Sequence, residues 1–299
     1  MPDLADLFPG FGSRWISTSI GKMFARTGGS GPALMLLHGY PQTNVMWHRV
    51  APALAKHFTL VIPDLPGYGW SVAPEPDASH GPYDKRSMAN VMIELMEQFG
   101  HVRFHLAGHD RGGRVAYRLA LDHPERLQKL CTLDIIPTWE MWARMDHALA
   151  MKVWHWQMLA QKYPMPEMFI TKAPVEYLDW KMATLTKSKN LSPLDPRAMA
   201  HYHAYMSDPT RIRATCEDYR AGYTVDRRND EIDRNAGKKI VVPMLALWGT
   251  AGIPSGSGPL PIWRDWAKDV SGQPIDSGHY IPEENPDATI AALLDFFGR

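Results

Sequence analysis

The sequence predicts an α/β fold in which a doubly wound, mostly parallel sheet is interrupted by a helical cap. Two observations support this. Over the first part of the chain, short and almost wholly apolar segments alternate with amphipathic ones, as expected for parallel strands buried between helices. After about residue 137 this alternation gives way to helical patterns without a convincing strand, over a length usual for a small folding unit.

Four buried strands are predicted before the cap. They cover residues 33–39, 58–67, 104–110 and 129–136, and turn residues follow each of them. Between the second and third strands, segment 84–100 places its apolar side chains on one helical face and ends at Gly100. This order of strands and helices predicts a doubly wound sheet.

The cap is predicted at residues 137–241, and the core at residues 1–136 and 242–299. After the cap come a buried strand, a Gly/Ser/Pro-rich loop, a helix and a closing helix, at residues 241–250, 252–261, 262–270 and 285–299. A cap inserted after a strand would lie over the carboxyl edge of the sheet, where ligands of open α/β folds bind. The mixed charge run at 226–239 is predicted to be a solvated helix.

The charge and cysteine content of the chain give no sign of several common kinds of partner. The 32 basic and 32 acidic residues cancel, which gives no reason to expect nucleic acid or a membrane. Neither a signal peptide nor a membrane span is recognisable. Cys131 and Cys216 lack metal or redox spacing and are predicted to be buried thiols. We therefore expect a soluble, cytoplasmic protein.

An aspartate occupies the tip of the sharpest predicted turn. The run Gly108-His109-Asp110-Arg111-Gly112 joins a strand to a helix. It matches the Gly-x-Ser-x-Gly nucleophile elbow of α/β-hydrolases, with aspartate in the serine position. The positive end of the following helix favours an ionised carboxylate, which can form an ester without activation by a base. Taken alone, Asp110 could equally be a helix N-cap.

Two further groups complete a candidate triad. Asp134 ends the strand that follows the elbow, and His279 precedes the final helix. The order nucleophile, acid, histidine is the order of the α/β-hydrolase triad. Each residue alone could be a turn or capping residue, but together with Asp110 they favour catalysis.

The aspartate indicates substitution at a saturated carbon rather than acyl transfer. His279 would be free to activate water against the ester, while Asp134 holds its tautomer. The backbone N–H groups of Tyr40 and Arg111 are the predicted oxyanion donors. This chemistry needs neither a cofactor nor a metal.

Two arginines flank the candidate nucleophile. Arg111 and Arg114 are almost one helical turn apart and therefore share a face. Arginine binds carboxylates in bidentate fashion, so the pair could hold a substrate acid beside Asp110. The alternative is that these arginines lie on the surface and form ion pairs with glutamates, as arginines on helices usually do.

These motifs together closely resemble the fluoroacetate dehalogenases. The motifs are the Gly-His-Asp-Arg-Gly-Gly-Arg run at 108–114, Asp134, the His155-Trp156 pair, CEDYRAG at 216–222 and SGHYIPEE at 277–284. The resemblance extends over essentially the whole chain. It implies that Asp110 displaces fluoride from fluoroacetate and that water activated by His279 then releases glycolate. It also implies a homodimer.

The resemblance further implies a carboxylate clamp and a halide pocket. Arg111 and Arg114 match the clamp, and His155, Trp156 and Tyr219 match the pocket. Fluoride is a poor leaving group that needs donors aimed at its developing charge, and these three side chains can donate. Without the resemblance, Trp156 would be one core tryptophan among several.

One position departs from the family. Where fluoroacetate dehalogenases carry a tryptophan near the pocket, this chain has Leu185. The difference predicts either a roomier pocket or a less rigid entrance to it, and with that weaker activity on fluoroacetate and better acceptance of larger haloacids.

Two other functions remain open from the sequence. An epoxide hydrolase would share the aspartate nucleophile and would need an acid such as Tyr219 to protonate the alkoxide, but the two arginines would serve no purpose for a neutral epoxide. A non-catalytic small-molecule binding protein on the same fold is the second alternative, although the intact candidate triad argues against it.

Overall fold

Eight strands form one sheet in the computed structural model, which describes residues 4–252 and 258–298. They are β1 (Gly12–Thr18), β2 (Gly21–Gly28), β3 (Ala33–Leu37), β4 (Thr59–Pro63), β5 (Phe104–His109), β6 (Leu127–Leu133), β7 (Met244–Gly249) and β8 (Val270–Ile275). Their spatial order is β1-β2-β4-β3-β5-β6-β7-β8. From β4 to β8 neighbouring strands are parallel, whereas β2 is antiparallel to both of its neighbours. The predicted mostly parallel α/β sheet is confirmed.

Fourteen α-helices accompany the sheet in the described ranges. Those outside the insertion are α1 (Ala51–Leu54), α2 (Lys85–Gln98), α3 (Asp110–Asp122), α12 (Leu260–Trp266), α13 (Ile281–Glu284) and α14 (Pro286–Phe297). Between β6 and β7 lie α4 (Thr138–Ala143), α5 (His147–Lys152), α6 (His155–Leu159), α7 (Met165–Ile170), α8 (Pro174–Leu185), α9 (Pro196–Met206), α10 (Pro209–Ala221) and α11 (Arg227–Asn235). We call these eight helices the cap. No helix within the described residues is long and apolar enough to cross a membrane.

The direction of each crossover decides which face of the sheet a helix covers. The chain moves one way from β3 to β4 and the opposite way from β4 through β5 to β6. Because parallel crossovers are right-handed, α1 must lie on one face and α2 and α3 on the other. Packing agrees, since α2 contacts α3 and α1 contacts α14. The strands between these layers are buried, as their apolar sequences predict.

The antiparallel pair β1–β2 was not predicted from the sequence. Most of β1 is exposed, and Trp15 within it is 56% accessible. A strand at the edge of a sheet with one solvated face lacks the continuous apolar run that marks a buried strand. Cys131 and Cys216 are free and buried, as predicted. Residues 253–257 of the predicted loop lie outside the described residues.

The mixed charge run at 226–239 is only partly solvated, so this prediction was wrong for its buried face. Asp230 and Asp233 on α11 are buried. Both form ion pairs with Arg118 of α3, whose Nη2 lies 2.8 Å from Asp230 Oδ1. The Tyr117 hydroxyl also donates to Asp230, at 2.7 Å. A buried charged cluster therefore fastens the end of the cap to the core helix that begins at Asp110.

Replacing Arg118 with methionine should destabilise the protein strongly. Two carboxylates would stay buried without their guanidinium, and breaking a buried pair in this way costs roughly 3 kcal/mol or more. Urea unfolding at neutral pH measures the loss. Arg228→Met is the matched control, because Arg228 lies on α11 with an exposed side chain and such changes stay within about 0.5 kcal/mol. Equal midpoints and slopes for both variants would contradict the anchoring role.

Candidate active site

Asp110 stands at the junction of β5 and α3 in a strained backbone conformation. Its φ angle is +46°, which non-glycine residues rarely adopt. The flanking glycines permit the tight turn. A Cβ on Gly108 would lie 2.5 Å from the Gly112 carbonyl oxygen, and one on Gly112 would lie 2.2 Å from that of His38. The predicted elbow is therefore present, with the aspartate at its tip.

The Asp110 carboxylate is buried, and its two oxygens have different surroundings. Oδ1 accepts a hydrogen bond of 2.9 Å from the Tyr40 backbone N–H, one of the two predicted oxyanion donors. Oδ2 lies 3.8 Å from His279 Nε2. Burial alone would raise the pKa of Asp110, but electrostatic interactions with His279 and then with other neighbours, Arg111 and Arg114 among them, outweigh it and lower the pKa. The group is therefore an anion at neutral pH.

The structure brings Asp134 and His279 together with Asp110. Asp134 directly follows β6, and its Oδ2 lies 2.5 Å from His279 Nδ1. The other oxygen, Oδ1, accepts the Gly249 N–H at 3.0 Å. A carboxylate at Nδ1 places the imidazole proton there, so the lone pair of neutral His279 lies on Nε2, on the side of Asp110.

The backbone of His279 is held from two sides. Its N–H donates to the Leu185 carbonyl of α8 at 2.9 Å. Its carbonyl lies 2.8 Å from His109 Nε2, and since a carbonyl only accepts, His109 donates. Burial lowers the pKa of His109 to about 4, so this ring is neutral. The histidine is thus fixed by both the core and the cap.

Arg111 has a partner that the sequence did not reveal. Its Nε and Nη2 bind Asp218 of α10 at 3.0 and 2.6 Å, and Nη2 also donates to the Asp218 carbonyl. Asp218 also accepts from the Tyr68 hydroxyl and pairs with the Lys85 amine. Nη1 of Arg111 is buried and has no hydrogen-bond partner among the described residues. One edge of the guanidinium is therefore fixed, and Nη1 is free for a ligand.

Arg114 is arranged in a similar way. Its Nη1 donates to the Ile136 carbonyl and to the Thr138 hydroxyl at 3.0 and 3.1 Å. Nε is buried without a partner in the described parts of the chain. Neither arginine lies on the surface, as both are at most 2% exposed. Each thus keeps one unused N–H donor in the buried region around Asp110.

The three residues matched to the halide pocket share one property. His155 Nδ1, Trp156 Nε1 and the Tyr219 hydroxyl are buried, and each lacks a hydrogen-bond partner within residues 4–252 and 258–298. Buried polar atoms without partners are rare in folded proteins and call for an explanation. Three in one cluster indicate a place for a polar or anionic ligand.

Ring contacts and charges hold this cluster together. The Tyr219 ring lies 5.7 Å from that of His155 and 6.0 Å from that of Trp156, measured between centroids. The guanidinium carbon of Arg111 lies 4.3 Å from the Tyr219 centroid, and that of Arg114 lies 4.5 Å from the Trp156 centroid. Such cation–π contacts are attractive. The arginines therefore position the rings as well as offering donors.

Protonation states in the cluster favour donation. Burial places the pKa of His155 well below its usual value, so the ring is neutral and carries one N–H. Burial, followed by the Asp110 charge, places the pKa of Tyr219 well above its usual value. Its hydroxyl therefore keeps its proton and can donate. Trp156 and Tyr219 therefore offer donors to an incoming anion, and His155 adds a third in the tautomer that carries its proton on Nδ1.

Sequence reasoning missed several residues around this site. Asp218 lies within the quoted CEDYRAG motif, yet only Tyr219 was singled out there. Tyr177 of α8 was also missed, and its hydroxyl lies 2.7 Å from that of Tyr40. His38 has a structural role in the loop after β3, since its Nε2 accepts the Leu65 N–H at 3.0 Å. No group of three His, Cys, Asp or Glu side chains suited to a metal occurs in the described ranges.

The chain is similar to several known proteins over nearly its whole length. The chain is 38% identical to a fluoroacetate dehalogenase from Burkholderia sp over 97% of its length and 95% of that protein. It is 32% identical to a soluble epoxide hydrolase from Corynebacterium sp. strain C12, over 92% and 93% of the two chains. The solved structure of ALR0039 from Nostoc sp PCC 7120 has 42% identity and a TM-score of 0.91, with 96% and 98% of the chains covered.

A family model describing the alpha/beta hydrolase fold matches residues 32–286. That range includes the elbow, the strand end at Asp134 and the loop that carries His279. Most of the chain is thus covered, and full-length relatives above 30% identity support the same assignment. The chain therefore belongs to the alpha/beta hydrolase family.

Proposed function

We propose that the protein hydrolyses the carbon–halogen bond of a small 2-haloacid, most directly converting fluoroacetate to glycolate and fluoride. One observation carries this proposal. An ionised aspartate, in place of a serine, stands at the elbow beside three buried donors that have no partner within the described residues. A carboxylate nucleophile suits attack on a saturated carbon, and unused donors suit a departing anion.

In the first step the substrate acid is bound by Arg111 Nη1 and Arg114. Asp110 Oδ2 attacks the α-carbon and forms a C–O bond while the carbon–halogen bond breaks. The halide leaves with the bonding electron pair and accepts hydrogen bonds from His155, Trp156 and Tyr219. Losing one such donor at an oxyanion site costs roughly a hundred- to a thousandfold in rate.

In the second step water hydrolyses the ester. His279 Nε2 takes a proton from water, and Asp134 stabilises the resulting imidazolium. Hydroxide adds to the carboxyl carbon of Asp110, so negative charge develops on Oδ1. This is the oxygen that the Tyr40 N–H already contacts at 2.9 Å. The intermediate collapses by breaking the bond between the carboxyl carbon and Oδ2. The departing glycolate oxygen takes the proton from the imidazolium, and the new carboxyl group loses its proton to solvent, which regenerates the carboxylate.

Epoxide hydrolysis is the second candidate, because the hydroxyl of Tyr40, whose ring contacts those of His155 and Tyr219, pairs with a second tyrosine hydroxyl. Tyr40 and Tyr177 lie 2.7 Å apart, and burial keeps both protonated by raising the pKa of each. Such a pair could protonate an alkoxide. Against this interpretation, the two buried arginines would have no role with a neutral epoxide.

The homodimer expected from the resemblance stays a prediction.

Replacing His279 with asparagine should trap the ester. Without a base at Nε2, alkylation of Asp110 continues while hydrolysis stops. Incubation with fluoroacetate or chloroacetate, followed by digestion and mass spectrometry, should find a carboxymethyl group on the Asp110 peptide. Halide release should stop after one equivalent per site.

His147→Asn is the matched control, because His147 is an exposed cap histidine and this variant should turn over normally. Continuous halide release by the unmodified protein, with no adduct ever trapped on Asp110, would reject the ester mechanism. Turnover of styrene oxide with no halide from any haloacid would favour the epoxide alternative. Tight haloacid binding without any product would favour a binding protein.

Leu185→Trp should shift the substrate range toward fluoroacetate. Leu185 lies at the end of α8, is 6% exposed, and accepts the His279 N–H through its carbonyl. A larger ring there would narrow the site. The ratio of kcat/KM for fluoroacetate to that for 2-chloropropionate should rise by about tenfold, since one methylene is worth about 1–3 kcal/mol in a close-fitting pocket.

The control for this variant is Leu191→Trp, at a half-buried position outside the helices. It should leave the ratio unchanged. A Leu185→Trp protein with wild-type stability and an unchanged ratio would show that residue 185 does not limit the site.

A further inference from the structure

Lys181 of α8 is a buried lysine that the proposed chemistry leaves unused. Its side chain is 1% exposed. No hydrogen bond or ion pair of its amine is found with any residue in the described ranges 4–252 and 258–298. Lysine is almost never fully buried unless it is paired, because desolvating an ammonium is costly. A role in folding alone would not account for it.

The neighbours of Lys181 on α8 fix where its side chain lies. Residues four apart share a helical face. Four positions earlier, the Tyr177 hydroxyl contacts that of Tyr40, the residue whose backbone N–H binds Asp110. Four positions later, the Leu185 carbonyl accepts the His279 N–H. Lys181 thus lies between two contacts that join α8 to the candidate active site, on the face that carries both.

Electrostatic effects agree with this placement. Burial lowers the pKa of Lys181 to about 7, and the charge that opposes this shift is that of Asp110. After burial itself, Lys181 is the strongest influence that lowers the pKa of His155. The charge of the amine therefore interacts with Asp110 and with His155, in agreement with the position of Lys181 on α8.

The carboxylate of a haloacid is already provided for by other residues. Arg111 and Arg114 project from α3, at the base of the site, and each retains a free N–H. Lys181 comes from the cap, on the side of His155. The group that lacks a charged partner is the halide, which gains a full negative charge as it leaves. Charge-assisted hydrogen bonds are roughly twice as strong as neutral ones.

We propose that Lys181 is a further substrate-contacting residue, which donates a hydrogen bond from the cap to the atom that leaves the substrate carbon. The assignment rests on the proposed function and names the leaving-group side of that site. As Asp110 Oδ2 forms its bond to carbon, the halide departs with the bonding pair. Because burial lowers the pKa of Lys181 to about 7, part of the protein carries the ammonium at neutral pH. In that form Lys181 keeps its proton and stabilises the new anion.

The test measures the first chemical step alone. In the His279→Asn background, the growth of the Asp110 adduct with time gives the alkylation rate. Rates are compared for fluoroacetate, chloroacetate and bromoacetate, with Lys181 intact, changed to glutamine or changed to methionine. The three substrates share their carboxylate and differ in the leaving group.

Lys181→Met should slow alkylation by fluoroacetate by about a hundredfold, the scale of losing one oxyanion donor. The loss should be less than about tenfold for chloroacetate and smallest for bromoacetate, because these halides are better leaving groups and weaker hydrogen-bond acceptors. Lys181→Gln, which keeps a neutral donor, should fall in between. The melting temperature should not decrease, since the substitution removes a buried amine that has no partner in the described structure.

Lys172→Met is the matched control, because Lys172 is an exposed cap lysine just before α8. It should change no rate. An equal loss for all three haloacetates would overturn the proposal, because it would indicate a role in binding the carboxylate or in shaping the site. Unchanged rates would overturn it as well. Absence of any adduct in the parent with Lys181 intact would instead reject the proposed function itself.

Discussion

The candidate site depends on a buried carboxylate that must remain charged while keeping one oxygen free. Asp110 achieves the first through its surroundings, because His279 and the arginines offset the cost of burial. It achieves the second through the elbow. The strained turn directs Oδ1 to the Tyr40 N–H and leaves Oδ2 without a short ion pair, 3.8 Å from His279. A tight salt bridge to either arginine would have stabilised the anion and made it a poor nucleophile.

Asp218 and the other partners of the two arginines explain why neither arginine forms a short ion pair with Asp110, the candidate nucleophile. It binds one edge of Arg111, and Lys85 and Tyr68 in turn bind Asp218. Arg114 is held by the Ile136 carbonyl and the Thr138 hydroxyl. Each guanidinium is thus fixed by partners other than Asp110 and still carries one unused donor. The same guanidiniums stack on Tyr219 and Trp156. The two arginines of the proposed carboxylate clamp are therefore in direct contact with the candidate halide pocket.

The cap does more than cover the sheet, because it also supplies side chains to the candidate site. His155 and Trp156 begin α6, and Tyr219 and Asp218 lie on α10. Contacts at Tyr177, Leu185 and Asp218 join it to the loops that carry the nucleophile and the base. The buried pairs of Arg118 with α11 fasten its last helix to α3. In the proposed reaction, specificity and leaving-group stabilisation would therefore depend on how the cap is held.

Local patterns in the sequence were enough to predict β3 to β7 and the elbow, but not β1, β2 or β8. The strands from β3 to β7 are mostly apolar runs, the elbow and Asp134 directly follow a strand, and His279 lies four positions after the end of β8. Interactions over long sequence separations could not be predicted in this way. Arg111 and Asp218 are 107 positions apart, and nothing local distinguishes Asp218 from the other acidic residues. Asp230 and Asp233 lie in a charge run that resembles a solvated helix, and the exposed face of β1 hides its strand pattern.

Lys181 could have been predicted from the sequence only in part. It occupies the apolar face of α8 together with Leu178, Met182 and Leu185, and a lysine on such a face is a signal that sequence reasoning could have used. Its direction toward Asp110 and His155 follows only from the contacts made by neighbouring turns of the helix. His155, Trp156 and Tyr219 were likewise selected through family resemblance, and the shared lack of hydrogen-bond partners appears only in three dimensions.

The central claim is that an oxygen of Asp110 becomes bonded to the substrate carbon. A single turnover in water enriched in oxygen-18, with enzyme in excess over fluoroacetate, tests it most directly. Because water attacks the carboxyl carbon of the ester, the account predicts heavy oxygen in the Asp110 side chain and none in the glycolate hydroxyl. Heavy oxygen in glycolate, with Asp110 unlabelled, would mean that water attacks the substrate itself and would contradict the account.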